Sequence, residues 1–311
     1  MKPCNQTFKY NAHAIIIAVM VSTCMGCASK NALINYDLSS AGTFVQTLSH
    51  DGEEREFIVC VPSSYDGSTE LPVMFNFHGF GGTAQDHMYW TGMCDVAERE
   101  NFIAVHPQGS LLGGSPHWNS ALPSADNKSS ADDFGFVEAM IDEISATYRV
   151  DSDRVYASGY SNGSFFSYAL ACYRSDLIAA VGSVSGTMAG IMGDCRPSHP
   201  TAMINLHGTN DGVVPYYGSS EYSSVDAVME YWIDYNGTDT TPQINTYNDG
   251  GTTIEHYAYT GGEGNTAVEH YRINGGDHVW FELDYQGAST SELIWNFVSQ
   301  YDKNGLIESA E

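Results

Sequence analysis

The sequence predicts an α/β fold, a mostly parallel central sheet with helices on both faces, and three observations carry that reading. Apolar runs of strand length alternate with segments of helical spacing along most of the chain, as in a parallel sheet built through helical crossovers. Residues 71–78 form a nearly continuous apolar run, which suits a strand buried on both faces. No internal repeat and no low-complexity linker interrupts the pattern, so residues 43–303 read as one domain with a short tail over 304–311. With 311 residues and 42% hydrophobic composition, the chain can bury a core of that size.

In chain order, Lys2 and Lys9 come before a short apolar run over 14–21, and Ser22-Thr23-Cys24-Met25-Gly26-Cys27 follows it. That run is too short to span a bilayer and has the form of an export signal over residues 1–27. Gly26-Cys27-Ala28-Ser29 resembles a bacterial lipoprotein cleavage box, in which Cys27 would carry lipid and attach the protein to a membrane. Cys24 stands where an aliphatic residue is usual, so cleavage without lipid stays open. Residues 28–42 read as a tether. Residues 43–49 and 54–61 are two strands joined at Asp51-Gly52, a pair suited to a hairpin turn. After the buried strand at 71–78 come a helix at 84–99 and a strand at 102–106.

A Gly/Ser/Pro-rich loop occupies 107–130, a length usually kept for function. The helix at 131–148 opens with acids that suit its dipole. A strand at 154–159, a helix at 162–172 and a strand at 179–184 follow. Beyond them lie a strand at 202–206, a helix at 225–235, strands at 252–259 and 268–273, and an amphipathic helix at 291–301. The sheet therefore carries an antiparallel hairpin at one edge.

Charge and cysteines narrow the setting. The 12 Lys+Arg against 38 Asp+Glu give a formal charge of −26, which repels nucleic acid and anionic lipid. Beyond Cys27 four cysteines remain, and an oxidising compartment favours bridging them. Cys172 ends a helix and Cys195 lies in a loop after the next strand, so these two form the preferred pair. Cys60 and Cys94 are readable either as a second bridge or as buried thiols.

Gly159-Tyr160-Ser161-Asn162-Gly163 matches the G-x-S-x-G turn that presents a nucleophilic serine between a strand and a helix, the signature of the α/β-hydrolase fold. A serine hydroxyl needs a base to take its proton and a third group to orient that base. In this fold the order is serine, acid, histidine. Asp211, in the loop leaving the strand at 202–206, is the acid. His278, in the glycine-rich loop after the strand at 268–273, is the base. Asp277 competes with Asp211, but as the neighbour of His278 its side chain should diverge from the imidazole. Among the other histidines, His207 reads as a structural residue at a strand end, His270 alternates within a strand, and His87 and His117 read as surface residues.

His78-Gly79-Phe80-Gly81-Gly82 is similar to the oxyanion loop of lipases and esterases. The backbone N–H groups of Phe80 and Asn162 are the expected donors to a developing oxyanion. No cysteine–histidine cluster has zinc spacing, and the chemistry calls for neither metal nor organic cofactor.

Together these pieces resemble the bacterial esterase family that includes polyhydroxybutyrate depolymerases and feruloyl or acetylxylan esterases. The likeness covers residues 43–301. It rests further on His106-Pro107-Gln108-Gly109, Asp132-Asp133-Phe134-Gly135-Phe136, the run from Asp153 to Gly163 with Leu170-Ala171-Cys172, His207-Gly208-Thr209-Asn210-Asp211 and Gly275-Gly276-Asp277-His278-Val279-Trp280. It departs at Asp277 and Ser164, where the family often has glycine.

The resemblance implies the same three catalytic residues, a Cys172–Cys195 bridge and an exported serine esterase. It implies feruloyl or acetyl carbohydrate esters or short-chain esters as substrates, with polyhydroxybutyrate oligomers as the alternative. A peptidase, or a binding protein without activity, would use the same fold. Tyr89, Trp90, Trp118 and Trp280 are candidates to stack on a sugar or hydroxycinnamoyl ring, and each is equally readable as a core or rim aromatic.

Overall fold

The structure is a computed structural model that describes residues 41–122 and 129–308. The expected export signal, Cys27 and residues 28–40 of the tether lie outside the described residues. The chain opens with β1 (Gly42–His50) and β2 (Glu53–Val61), paired antiparallel. Asp51 and Gly52 between them take φ of 50° and 80°, the left-handed pair that a tight hairpin turn needs. β3 (Leu71–Phe77) is buried at all seven positions. α1 (Ala84–Thr91) and α2 (Met93–Glu100) replace the single helix expected over 84–99. Gly92, at φ 63°, caps the first in the left-handed region and turns the chain into the second.

β4 (Ile103–Pro107) follows. The long loop after it is partly structured, because β5 (Ser110–Leu112) and β6 (Ser115–His117) pair as a small hairpin. Then come α3 (Asp133–Thr147), capped by the Asp132 carboxylate on the Gly135 N–H, and β7 (Val150–Tyr160). α4 (Asn162–Tyr173), β8 (Ala180–Val184), β9 (Ala202–Gly208), α5 (Val225–Asn236), β10 (Gln243–Asp249), β11 (Thr252–Tyr259), β12 (Val268–Ile273) and α6 (Thr290–Val298) complete the main body. α6 starts in a capping box in which Ser289 and Glu292 satisfy each other's backbone N–H.

Ten strands form one sheet in the order β1-β2-β4-β3-β7-β8-β9-β12-β11-β10. Strands β4, β3, β7, β8, β9 and β12 run parallel. Antiparallel strands extend both edges, not one: β2 and β1 on one side, β11 and β10 on the other. β10, Gln-Ile-Asn-Thr-Tyr-Asn-Asp, went unseen in the sequence because an exposed edge strand carries no apolar alternation. The segment expected as a tail from 304 also holds structure, since β13 (Tyr301–Asp302) pairs with β14 (Gly305–Leu306).

Strand side chains alternate between two cores. Phe75, Phe77, Val105 and Ala157 pack under α3, α4 and α5, with Phe136, Phe166 and Trp232 from those helices. Met74, Ala104, Tyr156 and Ile204 face α1, α2 and α6, with Met93, Ile294 and Phe297. α4 is buried on nearly every side, which explains why it carries no charged residue.

Two disulfides pin these layers: Cys172 to Cys195 with Cα atoms 4.7 Å apart, and Cys60 to Cys94 with Cα atoms 5.7 Å apart. The second bridge decides the alternative that the sequence left open, and ties β2 to α2. Replacing Cys172 and Cys195 together by alanine is expected to lower stability by about 3 kcal/mol. Urea unfolding under non-reducing conditions, with the wild type beside it, checks the value.

Candidate active site

β7 delivers its chain to Ser161 in a backbone state that few residues accept, φ 52° and ψ −116°. Such a position stores roughly 1–3 kcal/mol of strain and persists only when its surroundings over-determine it. Here the Ser161 N–H donates to Val184 O at 2.9 Å, and α4 begins at the next residue. A Cβ on Gly159 would overlap the Gly163 backbone, and one on Gly163 would overlap the Phe77 carbonyl. Both glycines are therefore dictated by the closeness of strand, turn and helix.

β9 and β12 are parallel neighbours, so the loops that leave them emerge on the same edge of the sheet as the Ser161 turn. Backbone bonds lace the two loops together: Thr209 N–H to Ile273 O at 2.9 Å and Asn210 N–H to Gly276 O at 3.0 Å. The Gly275 N–H also donates to Thr209 Oγ1 at 2.8 Å. This lacing brings His278 to Asp211 and Ser161. His278 Nε2 stands 2.9 Å from Ser161 Oγ, and His278 Nδ1 stands 2.8 Å from Asp211 Oδ2. Because the carboxylate only accepts, Nδ1 carries the hydrogen, which leaves Nε2 to accept from the serine hydroxyl.

Asp211 is buried, which by itself would raise its pKa. Hydrogen bonds from His207, His278 and the backbone N–H groups of Val214 and Val213 outweigh burial and hold the carboxyl well below the usual carboxylate range. Asp277 turns away from the imidazole and accepts from Asn210 Nδ2 at 2.7 Å, as its sequence position suggested.

The loop after β3 sits against this turn: a Cβ on Gly79 would stand 2.8 Å from the Tyr160 ring and 3.4 Å from the Ser161 Cβ. His78 organises the loop from within. Its Nδ1 donates to Gly79 O at 2.7 Å, and its Nε2 accepts the Gly109 N–H at 3.0 Å. Burial lowers its pKa to about 4, so it stays neutral in this role. Trp118 links the loop to α4. Its indole N–H donates to His78 O at 3.0 Å, its backbone N–H donates to Asn162 Oδ1 at 2.8 Å, and Asn162 Nδ2 donates back to Trp118 O at 3.0 Å. Phe80 projects at the rim, and Asn162 is the first residue of α4, where an N–H has no partner within its own helix.

The structure decides the open reading of the four aromatics and corrects that of two histidines. Trp118 and Trp280 are buried at 1% and 4% exposure, so neither ring is offered to a ligand; Trp118 stacks on Phe166 and Trp280 lies edge-on to His87. Tyr89 and Trp90 are exposed. Trp90 lines a cleft of about 210 Å³ together with Gly79, Phe80, Thr83, His87 and Tyr160. His87 and His117 are buried, not surface residues: His87 Nε2 pairs with Asn76 Oδ1 at 3.1 Å and His117 Nε2 with Ser129 Oγ at 2.9 Å. His270 is buried with Nε2 on the Tyr216 hydroxyl at 2.8 Å.

Three contributors went unread in the sequence. They are His207 on Asp211, the Trp118–Asn162 pair, and Tyr160, whose hydroxyl donates to His278 O at 2.8 Å. Tyr160 lies inside a glycine-bounded motif and His207 beside Gly208, whereas nothing in the sequence around Trp118 signals its pairing with Asn162.

Residues 49–225, more than half the chain, match a family described as Putative esterase. The chain is 32% identical over 170 residues to a probable feruloyl esterase C from Aspergillus clavatus, covering 53% of this chain and 57% of that protein. It is 28% identical over 204 residues to feruloyl esterase B from Piromyces equi, covering 62% of this chain and 37% of that protein. It thus spans little more than half of the first curated relative and less of the second.

Among solved structures, it is similar to a ferulic acid esterase from Anaeromyces mucronatus in complex with ferulic acid. That match has a TM-score of 0.54 and 17% identity, and covers 85% of this chain and 91% of that one. An acetyl xylan esterase from Aspergillus awamori matches with a TM-score of 0.55 and 16% identity, covering 76% and 94%. These likenesses show a shared fold.

Two outcomes follow from the site's construction. Trp118→Phe removes the indole donor and leaves the buried His78 carbonyl unpaired, so stability is expected to fall by about 1–3 kcal/mol in denaturant unfolding. Burial holds His78 at about 4 and His106 and His270 at about 3, below the ordinary 6.5. Between those values the unfolded chain binds more protons than the folded one, so stability is full above pH 6.5 and declines as pH falls towards 4. Unfolding midpoints measured across that window should decrease steadily with acid; a flat profile would contradict the buried neutral imidazoles.

Proposed function

The chain belongs to the esterase family of the α/β-hydrolase superfamily, and on that premise we propose that it is an exported serine carboxylic ester hydrolase working through an acyl-enzyme. The observation that carries this reading is the unbroken run of hydrogen bonds from Ser161 through His278 to Asp211, at 2.9 and 2.8 Å. His278 Nε2 takes the hydroxyl proton as Ser161 Oγ attacks the ester carbonyl. Asp211, ionised by its four donors, holds the imidazole in the required tautomer and stabilises its cationic form.

The tetrahedral oxyanion faces the backbone N–H groups of Phe80 and Asn162, on the loop and helix that Trp118 latches together. The alcohol leaves with the proton from His278. Water, deprotonated by the same nitrogen, then releases the acid.

The proposed substrates are feruloyl or acetyl esters of carbohydrate. The relatives named for feruloyl and acetyl xylan esterase activity support this class, as does a cleft walled by Phe80, Trp90 and Tyr160 that suits a planar acyl group. Export is supported by the two disulfides, which persist in oxidising surroundings.

Ser161→Ala is expected to lower kcat on a short p-nitrophenyl ester by a factor on the order of 10⁴ or more, with an unchanged circular dichroism spectrum. Near wild-type turnover by the variant would refute the assignment. Methyl ferulate, acetylated xylan and hydroxybutyrate oligomers, tested on the wild type, rank the substrate classes. Preference for the hydroxybutyrate oligomers would overturn the carbohydrate-ester reading while leaving the mechanism intact.

A further inference from the structure

We propose that His207 is a positioning residue for the ester-cleaving reaction, pinning the Asp211 carboxylate so that one oxygen stays aimed at His278. The proposal rests on the serine–histidine–aspartate reading above. His207 lies at the penultimate position of β9 with no exposed surface, four residues before Asp211. Its Nε2 is 2.9 Å from Val214 O and 3.2 Å from Asp211 Oδ2. A carbonyl oxygen only accepts, so Nε2 carries the hydrogen; it donates chiefly to the nearer Val214 O and stands close enough to Asp211 Oδ2 to favour the ionised carboxylate. Nδ1 is buried with no hydrogen-bond partner among the described residues, so this one N–H is the ring's polar contribution there.

That single donor sits at the neck of the Asp211 loop. Val213 and Val214 donate to Asp211 Oδ1 at 2.9 and 2.8 Å, so one carboxylate oxygen is gripped by the loop's own backbone. Oδ2 is the oxygen that His278 uses, and His207 is its other donor. By bonding Val214 O as well, His207 ties the far end of the loop back to the strand from which it departs. The carboxylate plane is thereby set by groups on both oxygens before His278 arrives. Without the His207 N–H, Oδ2 keeps only His278, the side chain it is meant to orient, and rotation of the carboxylate costs less. The ring also stands edge-on to Tyr216, at 5.9 Å between centroids.

Steady-state kinetics on a short p-nitrophenyl ester, with the rate of fluorophosphonate labelling of Ser161, test the proposal on the full chain. His207→Leu keeps most of the volume and removes the donor. It is expected to lower kcat and the labelling rate by about 10- to 100-fold, the order of loss found when the hydrogen-bond partner that orients a metal-ligating side chain is removed. KM should stay within about twofold, because no substrate contact is removed. His207→Gln can place an amide N–H near the Nε2 position and is expected to recover kcat to within about threefold of wild type.

A merely structural role would lower thermal stability in both variants without separating Leu from Gln in kcat. Equal kcat in the two, or a loss confined to KM, would overturn the proposal. If His207→Leu does not fold, His207→Asn takes its place: its amide stops short of the acceptors, so it should show the loss that Gln does not. Wild-type protein that neither hydrolyses the ester nor takes the label would instead remove the underlying mechanism, and this role with it.

Discussion

Every polar group of the site depends on one directional constraint, the parallel pairing of β3, β7, β8, β9 and β12. Parallel strands all end at the same edge, so the residues that follow them are delivered to one place whatever their separation in sequence. Ser161 follows β7, Asp211 follows β9, His278 follows β12, and the His78–Gly82 loop follows β3. The antiparallel strands at the two outer edges widen the sheet without contributing to this meeting point, and they cover what would otherwise be exposed edges of the parallel set.

Convergence alone does not give working geometry; that comes from rigid seams between the loops. The Asp211 and His278 loops are sewn to each other by backbone bonds, close enough that a Cβ on Gly208 would overlap the Gly276 carbonyl. The His78 loop is held to α4 through Trp118 and Asn162. Tyr160, one residue before the serine, reaches across to the His278 carbonyl and lays its ring beside the imidazole at 5.1 Å. The seam through Trp118, Asn162 and His78 uses buried polar groups that are all paired, and this makes the cost of placing them in the interior tolerable. The neutral His78, donating from one nitrogen and accepting at the other, is such a group.

The acidic surface and the disulfides act on a different level. A formal charge of −26 opposes close approach of polyanions and leaves neutral esters unaffected. The bridges join β2 to α2 and the end of α4 to the loop after β8, fastening helices on opposite faces of the sheet. Neither bridge includes Ser161, His278 or Asp211.

The sequence by itself determined the alternation of strands and helices, the serine turn, and the acid and histidine that meet it. Each of these is a local matter: apolar period, glycine at a strained turn, and chain order decide it. Only the tertiary structure decided what the remaining side chains do. Trp118 and Trp280 read equally as ligand-facing or core aromatics and are buried, and His87 and His117 read as surface residues but are interior, because nothing in a residue's neighbours along the chain reports which layer packs over it. The Cys60–Cys94 bridge, the strand β10 and the contact of His207 with Asp211 likewise arise where distant segments come within a few ångströms of each other. Burial and hydrogen bonding are set by those approaches, and so belong to the fold and not to any stretch of sequence.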